Sequence, residues 1–171
     1  AHANAVASTA PLAVINALLP GVELGDFVLA NSTNFIGEPT TVLFRRGALE
    51  LEDGLLFRWG GRDYHCLADM SLWLRLLLRG PAYYVAWTLS EFRVHGGQEQ
   101  LQSAVMASCL AEWLWIARHA HGAGFLASPV LRRAALDNAR ARIVAWLDAN
   151  PAGQPDRREL ERVMAELQRN L

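Results

Sequence analysis

Short apolar blocks separated by turn residues fill the first half of the chain, and this pattern predicts a mixture of brief helices and strands. Residues 11–19 (PLAVINALL) predict a short helix, because proline suits a first helical turn and Pro20–Gly21 would end it. Residues 22–33 are apolar without a clear period, so they fit either a short helix or a loop.

Two segments rich in β-branched and aromatic residues predict strands, namely residues 40–44 (TTVLF) and residues 83–89 (YYVAWTL). Between them, residues 49–51 and 55–59 flank Asp53–Gly54, a dipeptide that favours a tight hairpin turn. A short antiparallel hairpin is therefore expected at that point.

Helical periodicity is strongest in the second half of the chain. Residues 68–79 predict a helix that Gly80 would end in the left-handed conformation. Three longer helices follow, over residues 98–121, 129–149 and 156–171. The pattern predicts an α/β fold of the α+β kind. Residues 1–98 would form a small mixed sheet with its helices, and residues 99–171 a helical extension.

The amino-acid composition excludes several classes of function. The net charge is −1, whereas a protein that neutralises nucleic-acid phosphates normally carries a basic excess, so we expect no nucleic-acid partner. All 16 basic residues are arginine, which excludes a lysine Schiff base and a Walker-type phosphate loop.

The two cysteines, Cys66 and Cys109, match no metal-ligand spacing and are too few for a disulfide scaffold. They predict buried, reduced thiols in a cytoplasmic protein. No apolar run reaches the length of a membrane span, and no signal peptide is visible.

Three segments carry residues capable of chemistry: 34–46, 68–77 and 89–98. Asp69 stands at a helix start, where backbone N–H groups would lower the pKa of its carboxyl and keep it ionised as a general base must be. Arg93 and His95 share one face of an extended segment, an arrangement that suits a phosphate-bearing ligand. Each segment also has a plain structural interpretation: a turn into a strand, a helix cap and an exposed polar edge.

In their order and spacing, the stretches NFIGEPTTVLFRR, DMSLWLRLLLRG and LSEFRVHGGQ resemble the second half of a family 2 glycosyltransferase of the GT-A type. The resemblance runs from about Asn31 to Gln98. It implies the C-terminal part of a GT-A Rossmann-like fold. The implied activity is transfer of a sugar from a nucleotide-sugar donor to a hydroxyl acceptor, in polysaccharide or other glycan biosynthesis.

The resemblance also implies roles for single residues. Asp69 matches the family's general base, although the neighbouring acids of the motif are replaced by Ala68 and Ser71. His95 matches a late histidine that in some members helps to hold a divalent metal, Mg²⁺ or Mn²⁺, on the donor diphosphate. The substrate-binding set implied is Asn34 and Glu38 on the acceptor side, with Arg93 and Gln98 in the His95 loop.

The family's nucleotide-binding half, with its Asp-x-Asp metal motif, has no counterpart in these 171 residues. The resemblance therefore predicts the acceptor-side portion of a longer enzyme, inactive alone and without a bound metal. We expect this portion to form a homodimer through apolar surface that the other half would cover. A cytoplasmic location, with association at the inner face of the membrane as an option, is also expected.

Two other functions fit the residues. In the first, the chain is a non-catalytic interaction module, Asp69 is only a helix cap and the trailing helices bind a partner protein. In the second, Asp69 and His95 serve a hydrolase, but no serine or cysteine elbow supports it. The upstream gene sequence would separate these, because the glycosyltransferase hypothesis requires an Asp-x-Asp motif there.

Overall fold

Helices account for most of the described part of the chain, which in this computed structural model comprises residues 12–90, 103–150 and 155–169. The helices are α1 (Gly21–Asn31), α2 (Ala68–Leu77), α3 (Ser103–Ala123), α4 (Pro129–Ala149) and α5 (Pro155–Arg169). The strands are β1 (Ala17–Leu19), β2 (Arg58–Trp59), β3 (Arg62–Asp63) and β4 (Ala82–Tyr84). Strand β1 pairs with β4 and β2 with β3, both antiparallel. The predicted α+β class is confirmed, with two small antiparallel sheets among these residues in place of one mixed sheet.

The prediction of a helix over residues 11–19 is wrong for its described part. Residues 17–19 form strand β1, in which Leu18 lies opposite Tyr83 of β4. A helix of this length is marginal alone, so a partner strand distant in sequence decides the outcome. The first helix, α1, begins after Pro20 and covers most of residues 22–33, for which the sequence fitted either a helix or a loop.

Both predicted strands also need correction. Residues 40–44 form no strand, because the backbone N–H and hydroxyl of Thr41 both donate to the Glu38 carbonyl and close a 3₁₀ turn over Pro39–Thr41. The strand predicted over residues 83–89 is shorter, since ladder pairing ends at Tyr84. Beyond it, the Ala86 N–H donates to the Asn16 side chain.

The hairpin predicted around Asp53–Gly54 is reduced to one bridge between Glu52 and Leu55. The paired hairpin, β2–β3, turns instead at Gly60–Gly61, where both residues have positive φ. Helix α2 is confirmed, but Gly80 is not left-handed, because the helix closes earlier at Leu78.

Two clusters of buried side chains hold the helices together, and α3 contributes to both. The first joins α1 and α2 to α3, with Val28, Leu74 and Ile116 fully buried. The second joins α3 to α4 and α5 around Ile143 and Leu160. Residues on either side of position 98 therefore share one core. No helix in the described ranges combines the length and apolarity needed to cross a bilayer.

The structure overturns the prediction of two buried, reduced thiols. Cys66 and Cys109 form a disulfide, with Cα atoms 5.1 Å apart, and both residues are partly exposed. Packing of α3 against the start of α2 brings the two positions within the separation that a disulfide spans. Nothing local in the sequence pairs residues 43 positions apart.

Candidate active site around Asp69

Asp69 occupies the second position of α2, and both of its carboxylate oxygens accept hydrogen bonds. Oδ1 accepts from the Met70 backbone N–H at 2.7 Å, and Oδ2 accepts from the Asn34 side-chain amide at 3.2 Å. The helix start thus supplies one donor and a loop 35 residues earlier supplies the other. These two hydrogen bonds hold the carboxylate in place, and the residue is partly exposed.

The orientation of the Asn34 amide is fixed by its own loop. Its Oδ1 accepts from the backbone N–H groups of Ile36 at 3.1 Å and Gly37 at 2.9 Å. A flipped amide would place its NH₂ against those two donors, so Nδ2 must face Asp69. The Asn34 side chain therefore ties the loop at residues 34–37 to the start of α2.

A second contact between the same loop and α2 comes from Trp73, one helical turn after Asp69. Its indole Nε1–H donates to the Gly37 carbonyl at 3.2 Å, and that carbonyl also accepts from Asn34 at 3.3 Å. The Trp73 ring lies 5.8 Å from the ring of Phe44, which is 40% exposed. A half-exposed aromatic ring thus adjoins the hydrogen-bonded network that holds Asp69.

Sequence reasoning missed the roles of Trp73 and Gly37. The four-residue spacing of Asp69 and Trp73 places both on one helix face, and this signal could have linked them. Gly37 has φ +114°, and a Cβ there would lie 2.4 Å from the Thr41 hydroxyl, so the turn requires glycine. No local pattern predicts that its carbonyl serves two donors.

Burial raises the pKa of Asp69 from its ordinary value of 3.8 to about 6. The Met70 N–H and the Asn34 amide favour the charged form, while the nearby Glu38 carboxylate disfavours it. The expectation of a lowered pKa at the helix start is therefore wrong, because desolvation outweighs the backbone hydrogen bond. A carboxyl with this pKa remains mostly ionised at neutral pH and accepts a proton more readily than an ordinary aspartate.

Of the six residues singled out from the sequence, the structure brings together Asn34, Glu38 and Asp69. Arg93, His95 and Gln98 lie outside the described residues. No group of three or more His, Cys, Asp or Glu side chains in the described ranges could hold a metal ion.

A cavity in the described part of the chain lies apart from Asp69. It has a volume of about 320 Å³ and mostly apolar walls. Its lining residues are Leu12, Leu19, Pro20, Glu23, Leu24, Phe27 and Phe35. Phe35, the neighbour of Asn34 in sequence, packs there against Phe27 with ring centroids 4.8 Å apart.

The chain is similar to part of a longer bacterial protein. The uncharacterized protein MT1568 of Mycobacterium tuberculosis is 35% identical over 119 residues, which are 69% of this chain. Those residues are 27% of MT1568, so the chain spans about a quarter of the length of this relative. No protein-family model matches the chain, and no solved structure does.

Proposed function

We propose that this chain is the acceptor-side part of a GT-A-type glycosyltransferase, which transfers a sugar from a nucleotide-sugar donor to a hydroxyl acceptor. The observation that carries the proposal is the hydrogen bond between Asn34 and Asp69. The family resemblance selects Asn34 and Glu38 from one segment and Asp69 from another, and the three residues lie near each other around the proposed base.

In the proposed mechanism, Asp69 accepts the proton of the acceptor hydroxyl. As the hydroxyl oxygen bonds to the anomeric carbon of the donor, the bond from that carbon to the diphosphate breaks, and the diphosphate leaves with the electron pair. The proton moves to the carboxylate and later to solvent. Asn34 holds the carboxylate in place, and the raised pKa of Asp69 suits this transfer near neutral pH.

The exposed part of the Phe44 ring provides a surface on which the acceptor can bind. Sugars present C–H groups on one ring face, and an aromatic ring beside the base can pack against that face while a hydroxyl points to the carboxylate. We assign this packing to Phe44, whose ring contacts the indole ring of Trp73.

The proposal assigns donor and metal binding to a nucleotide-binding half that these residues do not contain. MT1568 extends well beyond the matched stretch, and such a length has room for that half. The metal, Mg²⁺ or Mn²⁺, would neutralise charge on the donor diphosphate. His95 remains the predicted protein ligand for it from this chain.

The test uses the whole gene product that contains this chain, assayed with a panel of nucleotide sugars. We expect Asp69→Asn to lower sugar transfer by about 10²- to 10⁴-fold, the usual effect of losing a general base. Donor binding should be unchanged, because Asp69 serves the acceptor. The matched control is Asp137→Asn, an exposed carboxylate on α4 that pairs with Arg133. Full activity of Asp69→Asn, or no transfer by the unaltered protein from any donor, would contradict the proposal.

A second candidate function, a non-catalytic interaction module, is favoured by a different observation. Leu18 and Tyr83 lie opposite each other in the β1–β4 sheet and are 67% and 65% exposed. Large apolar side chains paired on an open sheet face are typical of association surfaces. In this function Asn34 and Asp69 serve only to join the 34–37 loop to α2.

A further inference from the structure

Helix α3 meets the start of α2 through two anchors on one of its faces. Cys109 forms the disulfide to Cys66, and Glu112, three residues further along α3, accepts hydrogen bonds from the residues flanking Cys66. The His65 N–H donates to Glu112 Oε1 at 3.1 Å, and the Leu67 N–H donates to Oε2 at 2.7 Å. We call the disulfide and these two hydrogen bonds the α2–α3 clasp.

The clasp acts on the helix start that carries Asp69. Leu67 is the residue that precedes α2, and its carbonyl accepts the first helical hydrogen bond, from the Ser71 N–H at 2.9 Å. Glu112 is only 3% exposed, so it supplies a buried carboxylate to N–H groups at a helix N-terminus, where negative charge is favourable. Asp69 lies two residues beyond Leu67, and its position depends on this first turn.

The rest of α2 is held independently of the clasp. Trp73, Leu74 and Leu77 are buried in the first core cluster, against side chains from α1 and α3. Leu67 and Met70 of the first turn are buried in the same cluster. The disulfide is the covalent part of the clasp, so its loss would loosen the first turn without unpacking the helix. Both cysteines are partly exposed, so a soluble thiol can reach the bond.

We propose that the Cys66–Cys109 disulfide is a redox-sensitive switch that controls the position of Asp69 in the candidate active site. The regulatory role of this switch rests on the proposed function. The movement of α2 can be measured whether or not the chain is an enzyme. Disulfides in reducing compartments are commonly transient and redox-sensing, so the switch requires that the chain meets a thiol reductant.

The reductant is a dithiol. One of its thiolates attacks a sulfur of the disulfide, the S–S bond breaks, and the displaced cysteine thiolate takes a proton. The second thiol of the reductant then attacks the mixed disulfide and releases the other cysteine. Two electrons and two protons pass to Cys66 and Cys109, and the reductant becomes a cyclic disulfide.

The experiment measures amide hydrogen exchange in the oxidised chain and after reduction with dithiothreitol. We expect exchange at residues 67–71 to accelerate at least tenfold on reduction and to recover on reoxidation. Buried amides of α4, such as those of Ala139 and Ile143, should not change. The doubly substituted Cys66→Ser, Cys109→Ser chain is the matched control and should not respond to dithiothreitol. If it fails to fold, reduced wild-type protein capped with iodoacetamide replaces it.

Two results would overturn the switch. Unchanged exchange at residues 67–71, with both thiols shown to be free, would mean that the disulfide does not hold the helix start. Loss of protection throughout the chain would mean that it is a structural crosslink for the whole fold. The switch and the proposed function can fail separately. A change in exchange at residues 67–71 without any sugar transfer would contradict only the proposed glycosyltransferase function. Equal rates of sugar transfer by the oxidised and the reduced gene product would contradict only the regulation of the site by the disulfide.

Discussion

At the scale of single residues, the site depends on the Asn34 amide facing Asp69 with its NH₂ group. Asn34→Asp keeps an oxygen acceptor for the N–H groups of Ile36 and Gly37 but replaces the donor by a second carboxylate. We therefore expect the pKa of Asp69 to rise from about 6 to about 7 or above. Carboxyl ¹³C NMR titration measures it, with Asn31→Asp on the exposed end of α1 as the control. An unchanged pKa would show that the Asn34 contact does not govern the carboxylate.

The same carboxyl makes stability depend on pH. Since burial raises the pKa of Asp69 to about 6 from 3.8, the folded state binds more protons than the unfolded state between these values. The stability that the protonated form contributes is complete below pH 3.8 and is lost as the pH rises to about 6. Relative to Asp69→Asn, the free energy of unfolding should fall across this window and level off above it. Urea denaturation at a series of pH values tests this, and a parallel pH profile for the two proteins would contradict it.

At the scale of elements, Glu112 serves as a cap for α2 that comes from another helix. Glu112→Ala would leave the buried N–H of Leu67 and the N–H of His65 without acceptors, so we expect a loss of about 2 kcal/mol in the free energy of unfolding. Ser108→Ala is the control, because that exposed hydroxyl lies 3.5 Å from Glu112 and should contribute little. Chemical denaturation of both variants gives the comparison. Equal free energies of unfolding for the two variants would mean that water replaces the Glu112 carboxylate as the acceptor for these N–H groups.

Elements set by local sequence could be predicted, and elements set by distant partners could not. Helices α4 and α5 follow from the periodicity of their apolar residues, a pattern that acts within a few turns. Strand β1 depends on pairing with β4 some 65 positions later, a contact that no local pattern encodes. The disulfide and the Glu112 cap likewise join residues more than 40 positions apart.

The candidate site shows the same division. Asp69 could be selected because a helix start is visible in the sequence, and Asn34 was selected only through the family resemblance. The contact between Trp73 and Gly37 forms only once the loop has folded. The prediction that the pKa of Asp69 would be lowered was wrong for the same reason. A helix start is visible in the sequence, but the burial that outweighs it is not.

At the scale of the whole molecule, the β1–β4 sheet exposes large apolar side chains to solvent. Besides Leu18 and Tyr83, its continuation exposes Trp87 and Leu89 by 72% and 75%. Each strand of the sheet is also an edge among the described residues, and an open edge promotes pairing with another chain. We therefore expect the isolated chain to form a symmetric dimer through this sheet at micromolar concentration.

Light scattering coupled to size exclusion tests this dimer. Leu18→Ser and Tyr83→Ser together should shift the chain to a monomer without loss of fold, because both side chains are already exposed. Val130→Ser removes an apolar side chain that is 76% exposed on α4, away from the sheet in sequence, and should leave the dimer intact. A monomeric parent chain would contradict the dimer, and a dimer that survives both serines would place the interface elsewhere. If the complete gene product is monomeric while this chain dimerises, the sheet face is covered within the longer protein, as the glycosyltransferase proposal requires.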